Sequence, residues 1–211
     1  MIHELRTYTL RPNKADEFLK LTRKVGFEIR TKHSKCLGYW TTEIGDLNQA
    51  VHLWEYENFA HRTQTRAALA EDKEWEKKFV SLARKCHIRQ ESAVLIPSDV
   101  WPFAPGSGNG IYELRYYRLY PGKVGEWLEI FGKGLPARAK YSKPVGVWSS
   151  ELGGLNMVYH MWGYADLQAR ADIRKLAMAD PTWTETVKGL GPLMLEMNSK
   201  ILIPTSFSPM R

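Results

Sequence analysis

Apolar and polar residues alternate from residue 2 to residue 10, where the chain reads IHELRTYTL. Successive side chains of a β-strand point to opposite faces, so alternation with a period of two predicts a strand here. The next stretch has a different period, because Phe18, Leu21, Val25 and Ile29 recur at intervals of three or four residues. That spacing places one apolar stripe along a helix, so the chain is predicted to begin with a strand followed by a helix.

The elements that follow complete a known order. A second and a third strand are separated by the sequence IGDL, which contains a glycine typical of a hairpin turn, and two helical stretches and a last strand come after them. The predicted ranges are 38–43 and 48–56 for the two strands, 59–69 and 75–83 for the helices, and 88–96 for the last strand. The order β-α-β-β-α-β is that of the ferredoxin-like unit.

The second half of the chain repeats the first. Residues 2–21 match residues 111–130 at 10 of 20 positions, and residues 38–56 match 146–164 with an offset of 108 residues. The offset falls from 109 at the first strand to 107 at the sequence LIP that closes each copy, which we attribute to small insertions or deletions in connecting turns. A fixed period of this kind indicates an internal duplication.

The duplication predicts both the domain organisation and the fold class. We divide the chain into a first repeat at 1–97, a linker rich in Gly, Pro and Ser at 98–110, and a second repeat at 111–211. A ferredoxin-like unit covers one face of its four-stranded sheet with two helices and leaves the other face to be buried. We therefore predict an α+β fold in which two tandem ferredoxin-like repeats pack their sheets together as an intramolecular pseudo-dimeric α+β barrel.

Rows of polar and aromatic side chains recur at the same strand positions of both repeats, and residues two apart share a face. The rows of the first strands are Glu4, Arg6 and Tyr8, and Glu113, Arg115 and Tyr117; those of the third strands are His52, Trp54 and Tyr56, and His160, Trp162 and Tyr164. The opposite face of the third strand carries Val51 and Leu53, which suit contact with helices. We therefore predict that the rows face the interior shared by the two repeats.

These rows have a structural and a functional interpretation. Buried charges are costly unless they are paired, so Glu4 and Arg6 would pair across the barrel with Arg115 and Glu113 in a purely structural role. In the functional interpretation, the rows line a pocket whose polar groups converge on a ligand.

The functional interpretation makes His52 and His160 the candidate acid–base catalysts, because the pKa of histidine lies near neutrality. The candidate ligand-binding residues are the other members of the rows, namely Arg6, Tyr8, Trp54, Tyr56, Arg115, Tyr117, Trp162 and Tyr164. Structural alternatives stay open: the histidines would bond to a backbone carbonyl or a tyrosine, and the tryptophans would fill the core. No carboxylate or second histidine lies at metal-ligand spacing on the same element, so a metal site would require the two histidines to meet across the axis. The arginines of the following helix either cap an anionic ligand or pair with solvent and carboxylates; they are Arg62, Arg66, Arg170 and Arg174.

Composition and charge exclude several classes of function. With 44% hydrophobic residues the chain can bury a core, yet no run approaches the roughly 18 apolar residues that cross a bilayer, and no basic leader precedes the first strand. The net charge of +7 divides into +3 for residues 1–105 and +4 for the rest, without a basic block that would follow a nucleic-acid backbone.

Cys36 and Cys86 form no disulfide framework and lack metal-ligand spacing, which fits a reducing compartment. Motifs for dinucleotide binding, P-loops, zinc proteases and standard hydrolases are absent.

Several stretches resemble the signature sequences of the NIPSNAP family: ELRTYTLRPNK, GYWTTEIGDLNQAVHLWEYENFAHRTQTRAAL, DKEWE and LIPTSFSP. The first repeat carries the stronger resemblance, since the second reads HMWGYADLQAR where the first has HLWEYENFAHR. The resemblance implies a dimeric α+β barrel related to the antibiotic-biosynthesis monooxygenases, a superfamily that includes cofactor-free oxygenases, haem-binding enzymes and binding proteins. It also implies protein partners and roles in mitochondria and vesicle traffic, and it assigns no catalytic residue.

Two functional hypotheses follow. The first is a binding or interaction protein with a packed barrel and protein partners; the alternative is a small-molecule-binding protein or a cofactor-independent, monooxygenase-like enzyme with a pocket between the repeats and a histidine as acid–base. No metal or other cofactor is predicted, and haem is a disfavoured variant. We expect a monomer or homodimer without nucleic-acid partners. Its location is the cytoplasm if it is bacterial or the mitochondrial matrix if it is a processed eukaryotic form, and it is not secreted.

Overall fold

A computed structural model of the chain describes residues 1–106, 108 and 110–211, and each half folds as a ferredoxin-like unit. The first half comprises β1 (Ile2–Leu10), α1 (Ala15–Leu21), a π-helical turn (Thr22–Gly26), α2 (Phe27–Thr31), β2 (Lys35–Ile44), β3 (Gln49–Tyr56), α3 (Phe59–Glu71), a second π-helical turn (Trp75–Val80), α4 (Ser81–Ala83), a short 3-10 helix (Arg84–Cys86) and β4 (His87–Pro97). The second half comprises β5 (Ile111–Leu119), α5 (Val124–Ala139), β6 (Pro144–Leu152), β7 (Met157–Tyr164), α6 (Leu167–Ala179), α7 (Pro181–Leu190), a 3-10 helix (Gly191–Leu193) and β8 (Met194–Pro204). The predicted linker at 98–110 lies between β4 and β5, and two of its positions, 107 and 109, lie outside the described residues.

Turns and helix starts are specified in the same way in both repeats. Gly45 and Gly153 have φ angles of 115° and 114° in the two strand-to-strand hairpins, a conformation that glycine adopts without steric cost. Asn58 and Asp166 cap α3 and α6, each accepting a backbone N–H with its side-chain oxygen. The duplicated local signals therefore start the same elements at the same places.

All eight strands form one closed barrel in the order β1-β3-β2-β8-β5-β7-β6-β4, with antiparallel pairing throughout. The two repeats join along two seams, where β2 pairs with β8 and β4 pairs with β6. Closure leaves no unpaired sheet edge. The predicted fold, two tandem ferredoxin-like repeats that form an intramolecular α+β barrel, is confirmed.

Apolar side chains from both repeats fill the barrel. Leu5 and Leu53 from the first repeat and Leu114 and Met161 from the second belong to one buried cluster. An eight-stranded barrel is just wide enough for side chains to fill its interior. The apolar strand faces, which we expected to meet the helices, therefore form the core between the repeats.

The predicted orientation of the polar rows is wrong. Tyr8 and Trp54 pack with Phe18 and Phe79, which belong to the helices of the same repeat, and the rows of the second repeat are covered by its own helices in the same manner. Alternation along a strand identifies its two faces but does not say which face meets which partner. The polar face lies under the helices because they supply hydrogen-bonding partners such as Arg62, whereas the barrel interior supplies mostly apolar ones.

The first change of offset between the repeats lies inside a helix. The segment from Phe18 to Gly26 is one residue longer than its counterpart from Trp127 to Gly134. Here the first repeat forms the π-helical turn Thr22–Gly26, whereas α5 runs without interruption. The wider i→i+5 turn of a π-helix accommodates the additional residue.

The second change of offset has the same origin. The segment from Trp75 to Cys86 is one residue longer than that from Trp183 to Leu193, and it contains the π-helical turn Trp75–Val80, whereas α7 is uninterrupted. The expectation that these insertions lie in connecting turns is therefore wrong. Both lie within the helical cover of the first repeat.

Candidate functional site

A cavity of about 220 Å³ lies between the sheet and the helices of the first repeat, and we call it the first pocket. Strands and helices both line it, with Arg6, Tyr8, Tyr39, His52, Trp54 and His87 on the strands and Phe18, Thr22, Arg30, Arg66, Trp75 and Phe79 on the helices. Four of the five site residues predicted in this repeat line the first pocket. The fifth, Tyr56, lies beside it and donates to Glu4 Oε2 at 3.3 Å.

His52 is held at the wall of the first pocket by aromatic neighbours. Its ring stacks on Tyr39 and meets Tyr8 edge-on, with 4.7 Å between ring centroids in each case. Trp54 Nε1 donates a hydrogen bond to His52 Nδ1 over 2.5 Å. The side chain is 2% exposed, and its Nε2 has no hydrogen-bond partner among the described residues.

The hydrogen bond from Trp54 determines which nitrogen of His52 carries the proton. An indole N–H can only donate, so Nδ1 is the acceptor and the proton of the neutral ring is on Nε2. Burial, and then the charges of Arg30 and Arg6, lower the pKa of His52 well below 6.5, so the ring is neutral at pH 7. His52 therefore presents an N–H donor to the pocket and has no lone pair there with which to take a proton.

Glu4 links the strands and the helix beside the first pocket. Its Oε1 accepts hydrogen bonds from Arg6 at 2.8 Å, from Arg62 at 2.7 Å and from Ser92 at 2.7 Å. Burial alone would raise the pKa of Glu4, but the hydrogen bond from Arg62 and the charge of Arg6 lower it to about 2. The carboxylate is therefore ionised and joins β1, β4 and α3.

Glu113 repeats this arrangement in the second repeat. Its Oε1 accepts from Arg115 at 2.7 Å, from Arg170 at 2.6 Å and from Ser199 at 2.9 Å, and the net effect is again a pKa of about 2, because these partners outweigh burial. Each carboxylate is thus paired within its own repeat. The predicted ion pairs across the barrel, including that of Glu4 with Arg115, are wrong.

Arg30 was not among the predicted site residues, and it is the unusual cation of the first pocket. Its side chain is 6% exposed, and its guanidinium carbon lies 4.0 Å from the ring centroid of Trp54. Its Nε and Nη2 have no hydrogen-bond partner, and among the described residues no carboxylate forms an ion pair with it. The signal that would have found it is an arginine next to the apolar stripe at the same place in both repeats, Arg30 and Arg138.

Arg66 is the second cation of the first pocket without a counter-ion among the described residues. Burial, and then the positive charge of Arg6, lower the pKa of Arg66 from its usual value. Two guanidinium groups without an ion pair among the described residues therefore face one cavity, an arrangement that favours a bound anion. Of the arginines predicted to cap a ligand or pair with carboxylates, Arg62 is paired and Arg66 is not.

Both π-helical turns contribute to the wall of the first pocket. Thr22 and Gly26 come from the first turn, and Trp75 and Phe79 from the second. Such turns occur frequently at functional sites. Residues of both irregular turns therefore form part of the wall of the first pocket.

A cavity of about 330 Å³ occupies the equivalent place in the second repeat, and we call it the second pocket. Arg115, Tyr117, His160 and Trp162 line it, whereas Tyr164 lies beside it. The predicted site residues are thus divided between two pockets, one in each repeat. A meeting of His52 and His160 across the axis does not occur.

The second pocket repeats the histidine but not the free cation. Trp162 Nε1 donates to His160 Nδ1 at 2.6 Å, and burial followed by the charge of Arg115 lowers the pKa of His160 well below 6.5. Arg138, the counterpart of Arg30, donates to Ser142 Oγ at 2.8 Å and to Tyr164 Oη at 3.2 Å. Its charge is therefore hydrogen-bonded within the protein.

A third cavity, of about 310 Å³, lies between the repeats and is lined by inward-facing strand residues such as Tyr116 and Tyr159 and by the hairpin residues Asp46 and Gly153. None of the predicted site residues lines it. Within the part of the chain that the structure describes, no group of three or more His, Cys, Asp or Glu side chains is arranged to hold a metal ion. None of the described helices has the length and apolar character needed to cross a bilayer.

Comparison with known proteins places both repeats in one family. The NIPSNAP family model matches residues 3–102 and again residues 112–209. Protein NipSnap homolog 3A of Homo sapiens is 35% identical over 214 residues, covering 100% of this chain and 86% of the relative. Protein NipSnap homolog 3B of Mus musculus is 37% identical over 215 residues, covering 99% of this chain and 85% of the relative.

A solved structure supports the barrel independently. The crystal structure of an anthrone oxidase-like protein superposes on 97% of this chain and 91% of its own with a TM-score of 0.67. The sequences are 13% identical, so this likeness concerns the fold alone. The family match over both repeats and the two NipSnap relatives show that the chain belongs to the NIPSNAP family.

Proposed function

We propose that this chain is a binding protein that takes a small organic anion into the first pocket. The observation that carries the proposal is Arg30, a buried guanidinium whose Nε and Nη2 have no hydrogen-bond partner and whose charge has no ion-paired carboxylate among the described residues. A buried cation without a counter-ion is costly. A bound anion offsets that cost, and Arg66 adds a second positive charge to the same cavity.

Size and lining support an aromatic carboxylate as the ligand. A cavity of roughly 150 Å³ accommodates benzene, so the first pocket, at about 220 Å³, accommodates a ring with one or two small substituents. The planar guanidinium of Arg30 matches the two oxygens of a carboxylate. His52 Nε2–H is placed to donate to a further oxygen, and Phe18 and Phe79 supply apolar walls.

Replacing Arg30 with methionine is expected to weaken benzoate binding about 100-fold, because it removes a charged hydrogen-bond donor that has no other partner. Methionine keeps a flexible apolar stem against Trp54. Without ligand, the Arg30→Met protein should be as stable as the parent, since the change also removes an uncompensated buried charge. Isothermal titration with benzoate and with inorganic phosphate measures the affinity and separates a carboxylate site from a general anion site.

Arg138→Met is the matched control in the second repeat. It removes hydrogen bonds to Ser142 and Tyr164, so it should lower the melting temperature while benzoate binding to the first pocket stays within about twofold of the parent. The proposal fails if benzoate and phosphate both show no saturable binding, or if Arg30→Met binds them as the parent does.

Deleting Lys24 tests the role of the π-helical turn. Lys24 is exposed within Thr22–Gly26, and its removal gives the helix the length of α5, which is uninterrupted in the second repeat. We expect a folded protein with benzoate affinity lowered at least about tenfold, because Phe18 and Thr22 shift relative to Arg30. Circular dichroism and titration measure the two effects, and Lys24→Ala without deletion is the control. Undiminished binding by the folded deletion variant would contradict a role for this turn.

The enzymatic alternative keeps His52 and His160 but gives them another role. With Nδ1 engaged by a tryptophan, each histidine is a hydrogen-bond donor that stabilises negative charge on a substrate oxygen and is not a general base. Our proposal includes no haem, because a protonated Nε2 offers no lone pair to iron. The barrel shared with an anthrone oxidase-like protein assigns no chemistry to any residue of this chain.

Protein binding is a separate part of the proposal. Leu47 and Leu155 occupy equivalent positions in the two strand hairpins and are 67% and 70% exposed. Single exposed apolar side chains are common on protein surfaces, so we name these two positions as the places where contact with a protein partner is to be tested. Such a role on the hairpins is compatible with an anion site under the helices.

Compartment and assembly complete the proposal. Cys36 and Cys86 are free and buried, which fits a reducing compartment, either the cytoplasm or the mitochondrial matrix. The repeats bury each other's sheets within one chain, so the barrel needs no second copy. We propose a monomer, with a homodimer as the alternative.

A further inference from the structure

The walls of the second pocket differ in chemistry from those of the first. On β4 the first repeat places His87 and Gln90 against the cavity, and the corresponding positions of β8, in the same register against the neighbouring strand, are Met194 and Met197. Methionine is flexible and polarisable and adapts to apolar ligands of varied shape. Two polar positions have therefore become apolar in the second repeat.

Aromatic rings form the opposite wall. Trp127 stacks on Phe131 with ring centroids 4.4 Å apart, and Phe131 meets Trp183 edge-on at 5.8 Å. Both aromatic residues of the stack line the second pocket, as do Val187 and Leu190. The cavity is larger than the first, at about 330 Å³ against about 220 Å³, and it is bounded mainly by apolar side chains.

The arginines of the second pocket have partners in the protein. Arg115 pairs with Glu113 at 2.7 Å, and Arg174 lies 3.9 Å from the second oxygen of the same carboxylate. Arg138 donates to Tyr164 at 3.2 Å and to Ser142. An anion would have to displace these contacts, so the second pocket does not favour one.

Two buried N–H groups on residues that line this pocket, Trp127 Nε1 and His160 Nε2, have no hydrogen-bond partner among the described residues, and we consider the histidine first because it stands on the strand face of the cavity. His160 is 4% exposed, and its Nε2 has no hydrogen-bond partner among the described residues. Because Trp162 donates to Nδ1, the proton is on Nε2 and the ring offers one N–H donor. A buried donor of this kind is stabilised by a ligand that brings one acceptor oxygen.

We infer that the second pocket is a separate binding site for an uncharged, largely apolar small molecule, aromatic or alicyclic, that carries one carbonyl oxygen. The oxygen accepts from His160 Nε2–H, and the apolar body lies between the aromatic rings and the methionines. One chain thus carries two sites of different specificity, an anion site in the first repeat and a neutral site in the second. This assignment does not depend on the function proposed for the first pocket.

The test is a titration of the full chain with 2-acetonaphthone and with 2-ethylnaphthalene, which has a similar shape and no oxygen. Parent protein should bind one equivalent of the ketone, about tenfold more tightly than the hydrocarbon. The double variant Met194→His, Met197→Gln installs the residues of the first repeat and should weaken ketone binding at least about tenfold. His160→Phe should remove the preference for the ketone over the hydrocarbon.

Circular dichroism and thermal unfolding show whether the variants are folded, and benzoate titration of the same variants keeps the two proposals apart. The inference is overturned if the ketone shows no saturable binding to the parent, if the methionine double variant binds it as the parent does, or if Arg30→Met is the change that abolishes it. Loss of benzoate binding in Arg30→Met together with loss of ketone binding in the methionine variant supports both sites. Failure of either titration alone refutes the corresponding site and leaves the other standing.

Discussion

Replacing Glu4 with glutamine is expected to lower the free energy of unfolding by about 3–5 kcal/mol, one of the largest effects of any single change in this chain. The carboxylate is fully buried and holds Arg6, Arg62 and Ser92 at hydrogen-bond distance. Glutamine has nearly the same shape but no charge. It would leave two guanidinium groups without their counter-ion beneath the helices.

Urea unfolding at neutral pH measures this loss, with Glu113→Gln as the equivalent change in the second repeat. Glu91→Gln is the control, because Glu91 pairs with Arg89 at the surface, where both side chains are more than half exposed, and such pairs contribute about 0–1 kcal/mol. A loss for Glu4→Gln no greater than that for Glu91→Gln would refute the view that this carboxylate anchors β1, β4 and α3.

Acidification from pH 7 to pH 5 is expected to destabilise the protein by up to about 6 kcal/mol through three buried histidines, about 2 kcal/mol each. Burial is the main cause that lowers the pKa of His3 to about 4 and the pKa values of His52 and His160 well below 6.5. In the unfolded chain these groups titrate near 6.5. Between the two values the unfolded state binds protons that the folded state does not, so stability falls as the pH falls.

Neighbouring charges act on the same histidines. Glu55 and Lys35 act on His3 in opposite directions, whereas Arg30 and Arg6 both disfavour protonation of His52. Glu4 and Glu113 contribute little above pH 5, because their folded-state pKa of about 2 affects stability only as the pH falls below 4.5. The slope between pH 5 and pH 6.5 therefore reports the histidines.

Urea unfolding should give an uptake of about three protons by these histidines at pH 5 and about half as many at pH 6.5, where the unfolded rings are half protonated, with a further contribution from His87, whose pKa is also lowered by burial. The double variant His52→Asn, His160→Asn keeps an acceptor for each tryptophan and should take up about two protons fewer. His61→Asn changes a histidine on the surface helix α3 and is the control. Equal slopes for the parent and the double variant would show that the rings are already protonated when folded.

The barrel and its order of elements follow from the sequence because their signals are local and are written twice. Strand alternation, the helix stripe that begins at Phe18 and the hairpin glycine each specify one element, and the repeat at an offset of 108 specifies the partner for the uncovered sheet. The face of the sheet on which the polar rows lie could not be predicted from the sequence. Residues on both faces of β3 are buried, so burial preference alone could not choose between them.

The lining of the two pockets was predicted in part for a related reason. His52 and Trp54 were identified because the motif recurs, yet the unpaired state of Arg30 depends on where every carboxylate of the folded chain lies. The change in offset between the two repeats was visible in the sequence. The sequence does not show, however, whether an inserted residue lies in a loop or in a helix. The structure is needed to place the inserted residue in the π-helical turn Thr22–Gly26, which lines the first pocket.

Continuous hydrogen bonding around the barrel limits the routes by which a ligand enters the protein. The halves are tethered in one polypeptide and joined along β2–β8 and β4–β6, so dilution does not separate them. A ligand bound between the helices and the sheet must therefore enter and leave through movement of the helices that cover the sheet, while the strands of the barrel stay in place. The helices that cover the first repeat are interrupted by two π-helical turns, whereas the described helices that cover the second contain no π-helical turn. We therefore expect a ligand to exchange with solvent faster in the first pocket than in the second.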